Sequence, residues 1–196
     1  MPRTSLQPDL FAPEALPEGF AYAEGRIDAA LEQALLREIE TLPFKPFEFH
    51  GFFGNRRVVS YGWRYDYAGR ALRASDPFPD FLLPLRGVAA RFAGLPPDRF
   101  QQALVTEYAP GAGIGWHRDK PMFEEVVAFS LLAPCNLRFR HKDGDGWIRR
   151  SQIVAPRSAY LLRGQARFEW EHSIPPLDRL RYSITFRTFR PDAQPD

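Results

Sequence analysis

The chain has 196 residues, a formal net charge of +2 from 26 Lys and Arg against 24 Asp and Glu, and one cysteine. That length buries ~70 % of an unfolded chain's surface around one core, so a single domain over residues 1–196 is expected. The lone Cys135 excludes an internal disulfide framework and fits a reducing, cytoplasmic setting. The absence of any ~18-residue apolar run excludes a membrane-spanning helix, and nothing in MPRTSLQPDLFAPEALPEGF reads as a signal-peptide core.

Prolines at 2, 8, 13 and 17 keep the first residues out of a helix, and this stretch is expected to run extended over the domain. From Asp28 the pattern changes. Leu31, Leu35, Leu36 and Ile39 recur at helical spacing, with Asp28 as cap and Pro43 beyond the end, which predicts a helix over 28–41. A second helix is predicted over 80–92, where Phe81, Leu82, Leu85, Val88, Ala89 and Phe92 form a broad stripe and Gly94 follows as a stop. Pro84 falls in its first turn, where proline is tolerated.

Between the two helices, Phe47 to Tyr67 is dense in aromatic residues, and Tyr61, Trp63, Tyr65 and Tyr67 alternate. On one strand they would share a face. That face has two readings: a core stripe packed on the first helix, or a lid whose rings stack on bases while Arg56 and Arg57 meet phosphate. His50 in this segment and His141 beside a later turn read as surface or locally bonded groups.

Residues 101–190 read as the β-rich core, with 1–100 carrying the extension, the helices and the aromatic segment. Ala103–Ala109 and Ile114–His117 are predicted strands around the turn Pro110-Gly-Ala-Gly113, and VVAFSLLA at 126–133 reads as a buried central strand. Leu137–His141 and Trp147–Arg150 flank a hairpin at Lys142-Asp-Gly-Asp-Gly146, whose Asp-Gly favours positive φ. Its two aspartates lack the spaced later ligands of a calcium loop. Further strands are expected at 153–154, 159–162 and 167–172. Some eight short strands separated by turn residues predict a closed or double-sheet core. The basic clusters Arg56-Arg57, Arg138 to Lys142 and Arg149-Arg150 could share one face or be separately solvated.

Two patterns carry chemistry. His117 and Asp119, two apart, can converge if the chain is extended, and His172 supplies a second imidazole. One carboxylate and two imidazoles on one side of a metal suit non-haem Fe(II) with positions left open. At the far end, RYSITFR places Arg181, Ser183, Thr185 and Arg187 on one face and Tyr182, Ile184 and Phe186 on the other. With the charged face wet this is an edge strand; with both faces enclosed the arginines line a pocket and need anionic partners. Two arginine forks six residues apart match the two ends of a five-carbon diacid.

The order EYAPGAGIGWHRD, then His172, then RYSITFR resembles the AlkB-type Fe(II)/2-oxoglutarate dioxygenases, over about Leu104 to Arg190. The resemblance implies a mainly β (α+β) fold, a double-stranded β-helix or jelly roll with two supporting helices and an aromatic lid. It implies Fe(II) on His117, Asp119 and His172, 2-oxoglutarate held by Arg181 with Tyr108 and Ser183 and by Arg187 and Thr106 nearer the iron, and O₂ as oxidant. Substrate contacts would fall on Arg56, Arg57, Tyr61, Trp63 and Tyr65. Thr106 stands where the family often has Asn, and Pro121 where repair members tend to carry an acidic base-reading residue. The implied activity is oxidative demethylation of alkylated single-stranded DNA or RNA by a monomer. The alternatives are a tRNA-modifying, protein or small-molecule hydroxylase of the same chemistry, or a non-catalytic nucleic-acid-binding module.

Overall fold

The computed structural model describes residues 15–49, 52–66 and 71–193. Most of the extended run expected at the start of the chain lies outside the described residues, as do His50 and Tyr67. The chain runs through β1 (Phe20–Ala23), α1 (Ala29–Ile39), β2 (Lys45–Phe49), β3 (Phe52–Tyr61), β4 (Trp63–Asp66), β5 (Ala71–Ala74) and α2 (Leu83–Ala93). It continues with β6 (Phe100–Tyr108), β7 (Ile114–His117), β8 (Phe123–Leu131), β9 (Cys135–Asp143), β10 (Gly146–Val154), β11 (Ala159–Leu162), α3 (Gly164–Phe168), β12 (Glu171–Ile174) and β13 (Arg181–Phe189).

Both expected helices form. The Asp28 carboxylate accepts a hydrogen bond from the Leu31 amide at 2.7 Å, so the helix starts where its cap sits. Gly94 ends α2 in the left-handed conformation at φ 71°, and Pro84 lies in the first turn, where its missing N–H costs nothing.

The strands build a large sheet in the order β1-β11-β8-β13-β6-β3-β2 and a smaller one in the order β10-β9-β12-β7, with β4-β5 as a separate ribbon. From β6 to β13 the chain crosses between the two sheets at every step except the β9–β10 hairpin, which stays within the smaller sheet, and this is the winding of a double-stranded β-helix. Period-two alternation in the large sheet then feeds two cores. Val105, Phe129, Leu161, Ile184 and Phe186 point outward under α1 and α2, where they meet Leu35, Ile39, Leu85 and Ala89. Val126, Ala128, Tyr160 and Leu162 point inward, against Leu137, Phe139, Val154 and Ile174 of the smaller sheet and its surroundings. Both faces of β13 are therefore enclosed, as one of the two sequence readings required.

Two expectations are corrected. Residues 167–172 are not one strand: Gly164 (φ 51°) turns the chain into the single helical turn α3, and β12 starts only at Glu171. The Glu169 amide donates to the Gln165 carbonyl at 2.8 Å, four residues back, which closes a helical turn rather than a strand ladder. The aromatic residues Tyr61, Trp63 and Tyr65 do not share one strand either. Gly62 (φ 74°) breaks it, and a Cβ there would lie 2.2 Å from the Gln101 carbonyl oxygen. Tyr61 consequently stays on β3 in the core under the helices, while Trp63 and Tyr65 move to the β4-β5 ribbon. No helix of the described residues is long and apolar enough to cross a membrane.

Candidate active site

The site lies between the two sheets. β7 and β12 pair antiparallel with His117 opposite His172, but Ile174 stands opposite Ile114, so the register shifts between these two pairings. That irregularity lets Ile114 pack inward while the His117 imidazole also meets that of His172, with ring centroids 4.3 Å apart. The start of β7 is fixed by a close approach: a Cβ on Gly113 would sit 2.7 Å from the Ile174 carbonyl oxygen, so only glycine fits. The amide of Gly111 also donates to the Leu177 carbonyl at 2.7 Å, tying the turn to the chain that follows β12.

Asp119 follows β7 and turns back into the same space. Its Oδ2 is 3.7 Å from His172 Nε2, and its Oδ1 accepts from Arg187 Nε at 2.9 Å and Nη2 at 2.8 Å. Burial opposes ionisation of this carboxylate, yet the charge of Arg187, helped by His172, Arg167 and His117, holds its pKa below the ordinary carboxylate value. Burial lowers both imidazoles: His172 is pushed down to about 3, with His117 adding to the effect, and His117 is also lowered. Both rings are therefore neutral at neutral pH. His117 Nδ1 lies 2.9 Å from the Gly115 carbonyl oxygen and can only donate to it, which leaves the Nε2 lone pair free.

Two neutral imidazoles and one ionised carboxylate are the donor types that Fe(II) takes in a facial arrangement. Bonds of ~2.1 Å to a first-row metal put neighbouring donors about 3 Å apart, so Asp119 and His172 stand slightly open. Accordingly no closed three-donor cluster occurs among the described residues. The residues present fit the metal in kind, charge and protonation, and need only draw together around it.

Deeper in the barrel, Arg181 is fully buried. Its Nε donates to Ser130 Oγ at 2.9 Å and its guanidinium carbon lies 5.1 Å from the centre of the Tyr108 ring. Both Nη1 and Nη2 are buried without a hydrogen-bond partner among the described residues. Register places Tyr108 opposite Arg181 and Thr106 opposite Ser183, so these four face the same interior space. Tyr160 is buried there too, and burial raises its phenol well above the usual value, so it remains a neutral donor. Uncompensated buried charge costs several kcal/mol, on the order of 3 to 5 when a partner is lost. The pair of orphaned nitrogens is the shape of a missing carboxylate.

The remaining predicted residues separate. Arg56 faces the interior opening, where its charge reaches His117, and it lies over the Phe47 ring at 3.8 Å. Arg57 points to the other side of β3, forms a two-pronged ion pair with Glu107 at 2.7 and 2.8 Å, and so is not beside Arg56. Tyr61 is a core residue, which removes it from the substrate set. Trp63 packs edge-on against Phe189 at 6.2 Å, and the Lys120 ammonium sits 4.4 Å from the centre of the Tyr65 ring, so the β4-β5 ribbon borders the loop that carries Asp119. His141 lies 3.8 Å from Glu169 and against Trp170, away from the site, as expected.

Three residues escaped the sequence reading. Ser130 orients Arg181, and Gln102 Oε1 accepts from Arg187 Nη1 at 2.9 Å. Arg167, buried on α3, donates to the Lys120 carbonyl and, at 2.9 Å, to that of Phe123, clamping the Asp119 loop. Ser130 carried a signal, a single hydroxyl in an otherwise apolar central strand.

The match to known proteins agrees with this geometry. Residues 10–187 match the model of the 2OG-Fe(II) oxygenase superfamily, and the chain belongs to that superfamily, whose chemistry calls for Fe(II), 2-oxoglutarate and O₂. Within it the chain is AlkB-like. It is 28 % identical over 161 residues to the "Alkylated DNA repair protein ALKBH8 homolog" of Arabidopsis thaliana, covering 69 % of this chain and 46 % of that one. It is 29 % identical over 152 residues to the "Alpha-ketoglutarate-dependent dioxygenase AlkB" of Salmonella typhimurium, covering 64 % of this chain and 66 % of that one. The chain thus spans under half of the plant relative. The fold matches "The structure of OsALKBH1" at a TM-score of 0.64 and 18 % identity, covering 89 % of this chain and 98 % of that one.

Proposed function

We propose that the protein is an Fe(II)/2-oxoglutarate-dependent dioxygenase that oxidatively demethylates alkylated bases in single-stranded DNA or RNA. One observation carries the reading: a fully buried guanidinium with two orphaned nitrogens on the same strand, and the same face, as the arginine that grips a buried carboxylate beside two neutral imidazoles. The relatives' printed names, alkylated DNA repair and AlkB, support the nucleobase as substrate class.

In this reading His117, Asp119 and His172 hold the iron. When bound, the metal with 2-oxoglutarate and O₂ supplies the oxidising power to hydroxylate a C–H bond. The chain's own residues do the placing. Arg181, held by Ser130 and flanked by Tyr108 and Ser183, takes the distal carboxylate of 2-oxoglutarate in a fork. Arg187 sits nearer the metal residues, anchored by Gln102, and keeps Asp119 ionised. Thr106 lines the space between these two arginines. Arg167 keeps the Asp119 loop from swinging out. Enclosure between sheets excludes bulk water, which strengthens each of these charge contacts. Trp63 and Tyr65 on the ribbon would border a base, with Arg56 beside the opening to meet its phosphate. Hydroxylation of an N-methyl carbon leaves a carbinol that loses formaldehyde and restores the base.

Residues 1–196 act in this reading as one catalytic domain and as a monomer. The buried free thiol of Cys135 supports a cytoplasmic setting. The test is incubation of N-methylated single-stranded oligonucleotides with the iron-loaded protein, 2-oxoglutarate and air. Formaldehyde and succinate in equal amounts are expected. Succinate formed without any change in DNA, RNA or tRNA nucleosides by mass spectrometry would move the substrate to a protein or small molecule.

A further inference from the structure

The outer face of the smaller sheet carries the basic clusters that the sequence left unplaced. β9 and β10 pair along their whole length, with Arg138 opposite Ser151, Arg140 opposite Arg149 and Lys142 opposite Trp147. On β9 the alternate residues Cys135, Leu137 and Phe139 are buried in the barrel core, so Arg138, Arg140 and Lys142 point outward. On β10 the outward set includes Trp147 and Arg149, both exposed. β12 adds Glu171 and Ser173, and the bulged β7 turns Trp116 to the same side.

The result is an ordered ladder rather than scattered surface charge. Arg138 and Arg140 lie 5.1 and 4.7 Å from the centre of the Trp116 ring, while Arg140 and Lys142 lie 4.2 and 5.4 Å from that of Trp147. Such stacking fixes long cationic side chains that would otherwise be free. Four outward cations face one outward carboxylate on these strands, Glu171, which Arg140 engages at 2.5 Å. Arg138 also donates to Ser173 Oγ at 3.1 Å. A cleft of about 530 Å³ opens between these strands, lined among others by Trp116, Arg138, Arg149 and Ser151. Arg150 at its border donates to the Ala15 carbonyl at 3.0 Å.

We propose that this Arg–Trp face is a second, non-catalytic binding surface for single-stranded nucleic acid, its cations taking the phosphates and Trp147 stacking on a base. The partner follows from charge complementarity together with aromatic rings interleaved among the cations, the combination that holds single strands without regard to sequence. An acidic protein surface would use the charges but has no need of the exposed indole. The inference rests on the nucleic-acid reading of the active site and deepens it: His117 and His172 face the opposite side of this same sheet, so flanking nucleotides would be anchored apart from the base undergoing reaction.

The test compares full-length wild type, the double variant Arg138→Gln/Arg149→Gln, and Trp147→Ala. Affinity for an unmodified single-stranded 20-mer is measured across a salt series, alongside turnover of an N-methylated trinucleotide. Removing two phosphate contacts should lower the slope of log affinity against log salt by about 1.4, at ~0.7 per contact. Trp147→Ala should weaken binding on the order of tenfold with the slope unchanged, since a stacking contact of ~1 to 3 kcal/mol carries no counterions. Trinucleotide turnover should stay at the wild-type level in both. Wild-type 20-mer affinity and slope in both variants would overturn the proposal while leaving the catalytic reading intact. Wild type that makes succinate but binds no oligonucleotide would break the nucleic-acid reading itself. Poly-glutamate binding as tightly as the 20-mer would identify an acidic protein partner instead and likewise overturn it.

Discussion

Two arginine-bearing strands in this molecule look alike in sequence and end in opposite environments. On β13, Arg181 and Arg187 alternate with Tyr182, Ile184 and Phe186; on β9, Arg138 and Arg140 alternate with Leu137 and Phe139. β13 is covered by α1 and α2 on its apolar side and by the smaller sheet on its charged side, so Arg181 is fully buried with two nitrogens unpartnered among the described residues. β9 belongs to the smaller sheet, whose apolar side fills the barrel and whose charged side stays open. Alternation states that charges share a face. The number of layers packed on the sheet decides whether that face is enclosed as a pocket or left as an open charged surface.

The sharpest way to break the comparison is to remove the buried charge. Arg181→Met should weaken 2-oxoglutarate binding by over a hundredfold, the equivalent of ~3 kcal/mol or more. The same substitution should raise the melting temperature of the ligand-free protein, because a desolvated charge awaiting its partner costs stability. Calorimetric titration and thermal melts on one preparation read both effects, and equal 2-oxoglutarate affinity would remove the clamp. An equivalent change on the open face, Arg149→Gln, should leave the stability within about half a kcal/mol of wild type, as exposed charges do.

Acid provides a second contrast. The folded-state pKa of His172, about 3, lies below the unfolded value of ~6.5. The unfolded metal-free chain therefore binds the proton first, and stability falls as pH drops from about 6.5 towards 3, with His117 acting in the same direction. Asp119, also depressed, adds a loss below the ordinary carboxylate range as its ion pair with Arg187 is neutralised. Urea unfolding of metal-free protein at pH 7 and pH 5 should show the decline, and His172→Gln should flatten it. A parallel decline in that variant would place the titration elsewhere.

A smaller effect separates the two aromatic residues that the sequence read together. Tyr61→Phe in the core should leave oligonucleotide affinity unchanged, whereas Trp63→Ala on the ribbon should cost ~1 to 3 kcal/mol of affinity for a single strand. Paired melts and fluorescence titrations check this, and an equal loss of affinity in both variants would join them again into one surface.

Much of this was legible because strong local signals and the fold agreed. Asp28 and Gly94 marked helix ends, and the opposed faces of 181–187 marked an enclosed strand. His117 and His172 are brought face to face by pairing of β7 with β12, and Asp119, just beyond β7, comes to 3.7 Å from His172. What stayed hidden depended on tertiary contact. Gly62 was one small residue inside an aromatic alternation, and its positive φ split a face that looked continuous. Arg167 lay in a segment whose short apolar pattern suited a strand, and only its approach to the Lys120 and Phe123 carbonyls reveals the clamp. Gln102 and Ser130 act on arginines 85 and 51 positions away, a distance that no local pattern spans.

The central claim is that two neutral imidazoles, one arginine-held carboxylate and one orphaned guanidinium form a single oxidative site. Succinate release per bound Fe(II), measured for wild type and His172→Ala in the presence of 2-oxoglutarate and air, tests it most directly. Wild type should turn over 2-oxoglutarate; the variant should stay folded in thermal melts and produce no succinate above background. Succinate at the wild-type rate from folded His172→Ala would contradict the account.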